Sequence, residues 1–211
     1  MRKWHIEASY MVEEQIVGRD VKDPRVLEVM SSVPRHMFVP HECAMNAYID
    51  RPLPIGERQT ISQPYMVAKM TELLSTEPGM KVLEVGTGSG YQSAVLAALG
   101  LRVWSLERIK ILADCAGEKL RKMNFNVTVI HCDGREGYAP EAPYDRIIVT
   151  AASTRVEPAW DSQLAIGGRL VIPVNVLSGS QRLLVRENLR PGFRNTWYDY
   201  CRFVPLLAGV D

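Results

Sequence analysis

Val82-Leu83-Glu84-Val85-Gly86-Thr87-Gly88-Ser89-Gly90-Tyr91 packs an apolar run, a glycine turn and a helix start into ten residues. The run reads as a strand ending at Val85. The small residues from Tyr91 to Leu99 read as a helix. In strand–turn–helix units of α/β sheets, ligands bind outside the carboxyl ends of the strands. Glycine serves where the chain turns sharply or where a ligand must meet bare backbone. The spacing is G-x-G-x-G, and an acid, Glu84, stands two residues before the first glycine. The G-x-G-x-x-G of dinucleotide binders is not present.

Outward from this motif toward the C-terminus, short apolar runs alternate with helical spacing. Val103 to Leu106 reads as a strand. Ile109 to Met123 reads as a helix with Ile111, Leu112, Cys115 and Leu120 on one side. Val127 to Ile130 and Arg146 to Val149 read as strands, and such continuous apolar runs suit a sheet covered on both faces. A short helix over Pro158 to Leu164 follows. Gly167-Gly168 is expected to turn into the strand Arg169 to Pro173, with Leu183 to Val185 and Tyr198 to Phe203 as the last strands. The alternation predicts an α/β fold with a doubly wound, mostly parallel, Rossmann-like sheet of about seven strands.

Residues 1 to 75 have a different texture. Met11, Val12, Ile16 and Val17 fall near helical spacing. Asp23-Pro24 opens a second helix, Asp as N-cap and Pro at the first helical position. Val26, Leu27, Met30 and Val33 mark its apolar face. Pro34, Pro40, Pro52, Pro54 and Pro64 then exclude a long helix. Met37, Phe38, Val39, Tyr48, Leu53 and Ile55 still require a packing surface, so this stretch reads as an ordered, irregular cover. The expected organisation is one domain over 1–211, with a cover over 1–75 and a sheet core over 76–211.

Bulk composition argues against several classes. Twenty-five basic against 24 acidic residues leave a net charge of +1, with no electrostatic footprint for nucleic acid or an anionic membrane. Cys43, Cys115, Cys132 and Cys201 are scattered without a C-x-x-C pair. They read as buried or partly buried thiols in a reducing compartment, with no metal site expected. The segment Met1 to Val17 lacks the apolar centre of a signal peptide, and no run approaches the ~20 apolar residues of a membrane span. A cytoplasmic monomer is the expectation.

Two further acids follow the glycine turn at strand ends. Glu107 closes the next strand, where a carboxylate accepts hydrogen bonds from both hydroxyls of a ribose. Asp133-Gly134 follows the third strand, placed for an adenine amino group. S-adenosylmethionine has an ammonium group, a carboxylate and a sulfonium but no pyrophosphate, so an acid beside the glycine turn suits it better than it suits a dinucleotide. Glu84, Gly86, Gly88, Glu107 and Asp133 together resemble the class I methyltransferase pattern. A lone glycine turn of this spacing is otherwise an ordinary tight turn.

The segment Gln59-Thr60-Ile61-Ser62-Gln63-Pro64-Tyr65-Met66-Val67-Ala68 is more specific. It resembles the corresponding stretch of the protein-L-isoaspartate O-methyltransferases. The similarity continues through Arg51 to Gly56, Asp145 to Ala152, Gly167 to Val174 and Arg202 to Leu206. Arg58 departs from the family, where a small residue, usually glycine, is expected. The spacing of Leu206-Leu207-Ala208-Gly209 is also loose against the family's ending. The resemblance implies methyl transfer from S-adenosylmethionine to the free α-carboxylate of L-isoaspartyl residues in damaged proteins, and repair through a succinimide. It implies Ser62 at the methyl-transfer centre, orienting the carboxylate. It further implies cofactor contacts at Thr60, Ile61, Ser62, Gly86, Thr87, Gly88, Arg108, Gly134 and Thr150, besides Glu84, Glu107 and Asp133. For the substrate it points to Ser62, Ala151, Ala152, Ile172, Pro173 and Val174.

Plainer readings stand beside several of these. Ser62 also suits a helix N-cap ahead of Pro64. Thr150-Ala151-Ala152 suits simple helix–sheet packing as well as a peptide channel. Pro173 suits a closed strand end as well as backbone pairing with a substrate. His5, His36, His41 and His131 have no ligand spacing, and Gly88-Ser89-Gly90 lacks the G-x-S-x-G elbow of hydrolases. The rival functions are a methyltransferase for small molecules or nucleic acid, a non-catalytic binding module of the same fold, and a nicotinamide-dependent reductase.

Overall fold

The computed structural model describes residues 3–176 and 179–211. Met1 and Arg2, at the start of the segment read for a signal peptide, lie outside them. Helix α1 (Lys3–Val12) continues into a π-helical turn, Glu13–Val17. Helix α2 (Pro24–Ser32) begins as expected, with the Asp23 carboxylate accepting from the Arg25 N–H at 2.9 Å. The proline-rich stretch forms two 3-10 turns, Arg35–Phe38 and His41–Asn46. It ends in a hairpin of β1 (Leu53–Gly56) and β2 (Gln59–Ile61) that sequence reading had left irregular. Helix α3 (Pro64–Leu74) follows, with Gln63 at its N-cap and no side-chain cap bond. Ser62 is therefore not the N-cap.

The core continues as β3 (Lys81–Val85), α4 (Tyr91–Ala98), β4 (Arg102–Glu107), α5 (Lys110–Lys122), β5 (Val127–His131), β6 (Tyr144–Val149), α6 (Pro158–Gln163), β7 (Leu164–Asn175), β8 (Gln181–Asn188) and β9 (Phe193–Cys201). The seven-stranded sheet runs β5-β4-β3-β6-β7-β8-β9. Strands β3 to β7 are parallel to their neighbours within that group, and β8 and β9 are antiparallel. Successive residues of the apolar strands serve opposite faces. Val82, Ile148 and Val171 pack with the N-terminal cover, whereas Leu83, Ile147 and Leu170 pack with Trp160 of α6. This is why the central strands read as unbroken apolar runs.

Two expectations shift. Helix α5 buries Leu112, Ala113, Ala116 and Leu120 and exposes Ile111 and Cys115, because Ile111 and Cys115 fall just outside the stripe that meets the sheet. Gly167-Gly168 does not turn between elements. It lies inside β7, where the register with β6 jumps from Tyr144↔Leu164 to Arg146↔Arg169. The left-handed φ of +75° at Gly167 lets the strand absorb the extra residues.

Strand β3 has β4 on one side and β6 on the other. The connections leave it in opposite directions, and this reversal opens a crevice at the carboxyl ends of β3, β4 and β6.

Candidate active site

That crevice holds a cavity of ≈ 940 Å³, counted with its open mouth. Its floor is the glycine turn, Gly86 to Ser89. One wall is the end of β4, Leu106 to Ile109, with Gly134 beside it, and another is Thr150-Ala151 at the end of β6. The hairpin and the approach to α3 supply Gln59, Thr60, Ile61 and Ser62, and α4 adds Tyr91 and Gln92. The segment Phe203 to Leu207 closes the remaining side.

The glycine turn is held from within. The Gly86 and Thr87 N–H groups donate to the Leu106 carbonyl at 2.8 and 3.1 Å, and Gly90 N–H donates to Thr87 O at 2.8 Å. The Thr87 hydroxyl faces the Ser105 hydroxyl at 2.6 Å. With these groups satisfied, the turn offers a bare backbone surface. Gly86 could carry no side chain. Its φ is +99°, and a Cβ there would fall 2.5 Å from the Thr150 hydroxyl. That hydroxyl donates to Gly86 O at 2.6 Å and ties the end of β6 to the turn.

Glu107 is the acid on the wall. Its Oε2 accepts from Gly88 N–H at 2.8 Å and its Oε1 from Ile109 N–H at 3.0 Å. Two backbone donors fix the carboxylate, and a carboxylate has about four lone-pair sites, so each oxygen keeps capacity for one hydroxyl of a vicinal diol. Ser62 is half-buried on the opposite side, and its hydroxyl has no hydrogen-bond partner among the described residues. Its carbonyl accepts from Arg35 Nη2 at 2.7 Å. None of the four histidines lines the cavity.

Other predicted residues stand apart from the wall. Glu84 is fully buried beneath the turn. Its Oε2 accepts from Ser93 and, at 2.7 Å, from Ser105, while Oε1 has no partner among the described residues. Burial pushes its carboxyl up to about 7 despite those two hydroxyls. Asp133 stands outside the cavity lining, its Oδ1 capping the Arg135 N–H at 3.0 Å and its Oδ2 accepting from the Gly209 N–H at 2.7 Å. Arg108 reaches the wall, but its guanidinium is drawn to the C-terminal segment by Asp211, at 2.8 Å, and Gly209 O. Ala152 is buried, with its N–H on Val204 O and its carbonyl on Leu206 N–H, both at 2.8 Å. Ile172, Pro173 and Val174 are interior to β7 and paired with β8, and Ser153 takes up the Pro173 carbonyl and bridges Val174. The structure leaves that strand no vacant edge for a substrate backbone.

The wall that sequence reading missed is Phe203 to Leu207. The last strand, expected over Tyr198 to Phe203, ends instead at Cys201, so Phe203 falls in this wall, and Val204 to Leu206 are signalled only by the family resemblance. Pairing of this segment with Ala152 carries it back over the cavity.

Comparison with known proteins agrees with this geometry. Residues 7–211 match the family model described as protein-L-isoaspartate(D-aspartate) O-methyltransferase. A protein-L-isoaspartate O-methyltransferase of Trichlorobacter lovleyi is 49% identical over 209 residues, 99% of this chain and 96% of its own length. One from Pseudomonas fluorescens is 51% identical over 199 residues, covering 93% of each chain. Among solved structures, a protein-L-isoaspartate O-methyltransferase superposes with a TM-score of 0.85 at 26% identity, over 98% of this chain and 67% of the other. A Plasmodium falciparum structure of that description, in complex with S-adenosyl-L-homocysteine, gives 0.81 at 25% identity, over 95% and 98%. The chain belongs to the protein-L-isoaspartate(D-aspartate) O-methyltransferase family.

Proposed function

We propose that this chain transfers a methyl group from S-adenosyl-L-methionine to the free α-carboxylate of L-isoaspartyl residues in damaged proteins, releasing S-adenosyl-L-homocysteine. The observation that carries this reading is the meeting of two groups across one cavity: the Gly86–Glu107 floor and wall, and the unpartnered Ser62 hydroxyl. The floor fits the cofactor, since the glycine turn presents bare backbone to the cavity and Glu107 presents fixed acceptors for ribose hydroxyls. Gly86, Thr87 and Gly88 hold it by backbone, Thr60, Ile61 and Ser62 flank it, and Gly134 and Thr150 shape the wall. Glu84, beneath the turn, accepts from Ser105, whose hydroxyl meets that of Thr87, and so braces the turn from below. S-adenosyl-L-methionine supplies a methyl group activated on a sulfonium.

The chain's own task is then positioning. An α-carboxyl has a pKa near ~3.5, so the acceptor is an anion at neutral pH and no base is needed. A cavity without histidine suits that chemistry. The Ser62 hydroxyl donates to one carboxylate oxygen and aims the other. Holding acceptor and donor in line contributes up to about 7–11 kcal/mol in favourable cases. Phe203 to Leu207 exclude water from the reacting centre. The product ester closes to a succinimide with loss of methanol, and hydrolysis of the ring returns some normal aspartate. We read the chain as a cytoplasmic monomer forming one domain, without nucleic-acid or membrane partners; among the described residues no helix is long and apolar enough to cross a membrane.

The decisive experiment is methyl transfer from labelled S-adenosyl-L-methionine to paired peptides containing L-isoaspartate or L-aspartate. Base-labile label on the first peptide alone is the expected result. Label on neither, with cofactor bound, would refute the acceptor and leave the other methyltransferase reading.

A further inference from the structure

Arg35 is 0% exposed. Its Nε donates to Ala47 O at 2.7 Å and its Nη2 to Ser62 O at 2.7 Å, while Nη1 has no hydrogen-bond partner among the described residues. The guanidinium carbon lies 4.8 Å from the centre of the Tyr91 ring. Among the described residues no carboxylate lies within ion-pair distance of it. The nearest acid acting on it, Asp50, is committed elsewhere: Oδ1 accepts from Tyr65 N–H at 2.9 Å, and Oδ2 from Arg19 at 3.0 Å and Gln63 Nε2 at 3.4 Å.

Burying a cation without a counter-ion is costly. Two carbonyls and an aromatic face offset only part of that cost. Burial lowers the guanidinium only to about 10, so the charge persists at neutral pH. Ser62 and Tyr91, both touched by this cation, line the active-site cavity. Arg35 and Asp50 together grip the turn that delivers Ser62, one at the Ser62 carbonyl and the other at Tyr65 and Gln63.

We propose that Arg35 is a positioning residue with two separable effects on the methyl acceptor. Its fork fixes the Ser62 carbonyl, and so the direction of the Ser62 hydroxyl. Its uncompensated charge, one residue behind the wall, makes the cavity attractive to a carboxylate. This rests on the isoaspartyl reading above, because a neutral acceptor would gain nothing from the charge.

Arg35→Met and Arg35→Lys are compared with the parent chain for kcat and KM on an isoaspartyl peptide, and for Kd of S-adenosyl-L-homocysteine. Arg35→Met is expected to raise KM about tenfold or more, the scale of a lost charge-assisted contact. Its S-adenosyl-L-homocysteine Kd stays within about threefold. Arg35→Lys keeps the charge but not the fork. It is expected to hold KM within about threefold while kcat falls about tenfold. A bystander in the core would instead shift melting temperature, cofactor Kd and kcat together with KM unmoved in Arg35→Met, and that pattern overturns the proposal. So do parental kcat and KM in Arg35→Lys, the variant that decides the matter if Arg35→Met does not fold. If the parent chain leaves the peptide unmethylated, the isoaspartyl reading itself has failed, and this inference falls with it.

Discussion

Ser62 and Glu107 divide the work at the level of single side chains. The Ser62 hydroxyl has no partner among the described residues, so Ser62→Ala leaves none of their buried groups unsatisfied. A hydrogen bond to a charged group is worth about 1.5–3 kcal/mol. Ser62→Ala should therefore lower kcat about 10–100-fold while cofactor Kd, measured calorimetrically, moves little. Glu107→Ala removes the diol acceptor and orphans the Gly88 and Ile109 N–H groups. Cofactor Kd should rise about 100-fold or more; equal loss of affinity in both variants would contradict the division. Glu84 makes a pH prediction. Its folded pKa of about 7 lies above its ordinary value of 4.5, so between those values the folded chain holds a proton that the unfolded chain has lost. Its favourable term is complete below pH 4.5 and disappears as pH rises through 7. Glu84→Gln should flatten that fall, by on the order of 3 kcal/mol at most. Denaturant titrations of both proteins at about pH 5, inside the window, and about pH 8, above it, provide the check, and an unchanged difference would refute the assignment.

The hairpin shows how an element carries site residues. Strands β1 and β2 meet through Glu57-Arg58, with φ of 49° and 57°. Two successive left-handed residues make the turn that twists with the strands and favours Asn-Gly. Arg58 occupies the second position, where the family resemblance had pointed to glycine, and the backbone supplies the reason. The arginine tolerates an unfavourable conformation there without displacing Gln59, Thr60 and Ile61 from the cavity. Arg58→Gly should stabilise the fold by about 0.5–1 kcal/mol. That corresponds to about 1–4 °C in Tm by calorimetry, with activity retained. A lower Tm would show that Arg58 makes contacts worth more than the strain. Strand β7 had been read as a turn followed by a short strand, and its form follows from local accommodation: Gly167 permits a bulge, so the chain keeps its pairing with β6 on both sides of it.

At the scale of the whole molecule, the N-terminal cover and one face of the sheet share a continuous apolar cluster, from Ala8 and Met30 through Leu74 to Ile148 and Val185. Cover and core should therefore unfold together. Near the denaturation midpoint, amides of α2 and β6 should report the same opening free energy by hydrogen exchange; earlier release of α2 would show a separable cover. The apolar runs, the glycine turn and the acids at strand ends were legible in the sequence because each is a local pattern, with period 2 or 3.6 or a conformation only glycine adopts easily. From them follow the α/β class, the parallel centre of the sheet, and Gly86, Gly88 and Glu107 at the crevice. Residues distant in the chain depended on the tertiary structure. Asp133 looks like Glu107 in sequence, and each accepts two backbone N–H groups, yet only Glu107 lines the cavity. Ile172 to Val174 look available, yet β8 and Ser153 have their backbone. Phe203 to Leu207 close the cavity, and Arg35 braces Ser62 across 27 residues of sequence. Local pattern specifies which groups a segment carries, but only packing decides which of them are already satisfied by a neighbour and which are left to face a ligand.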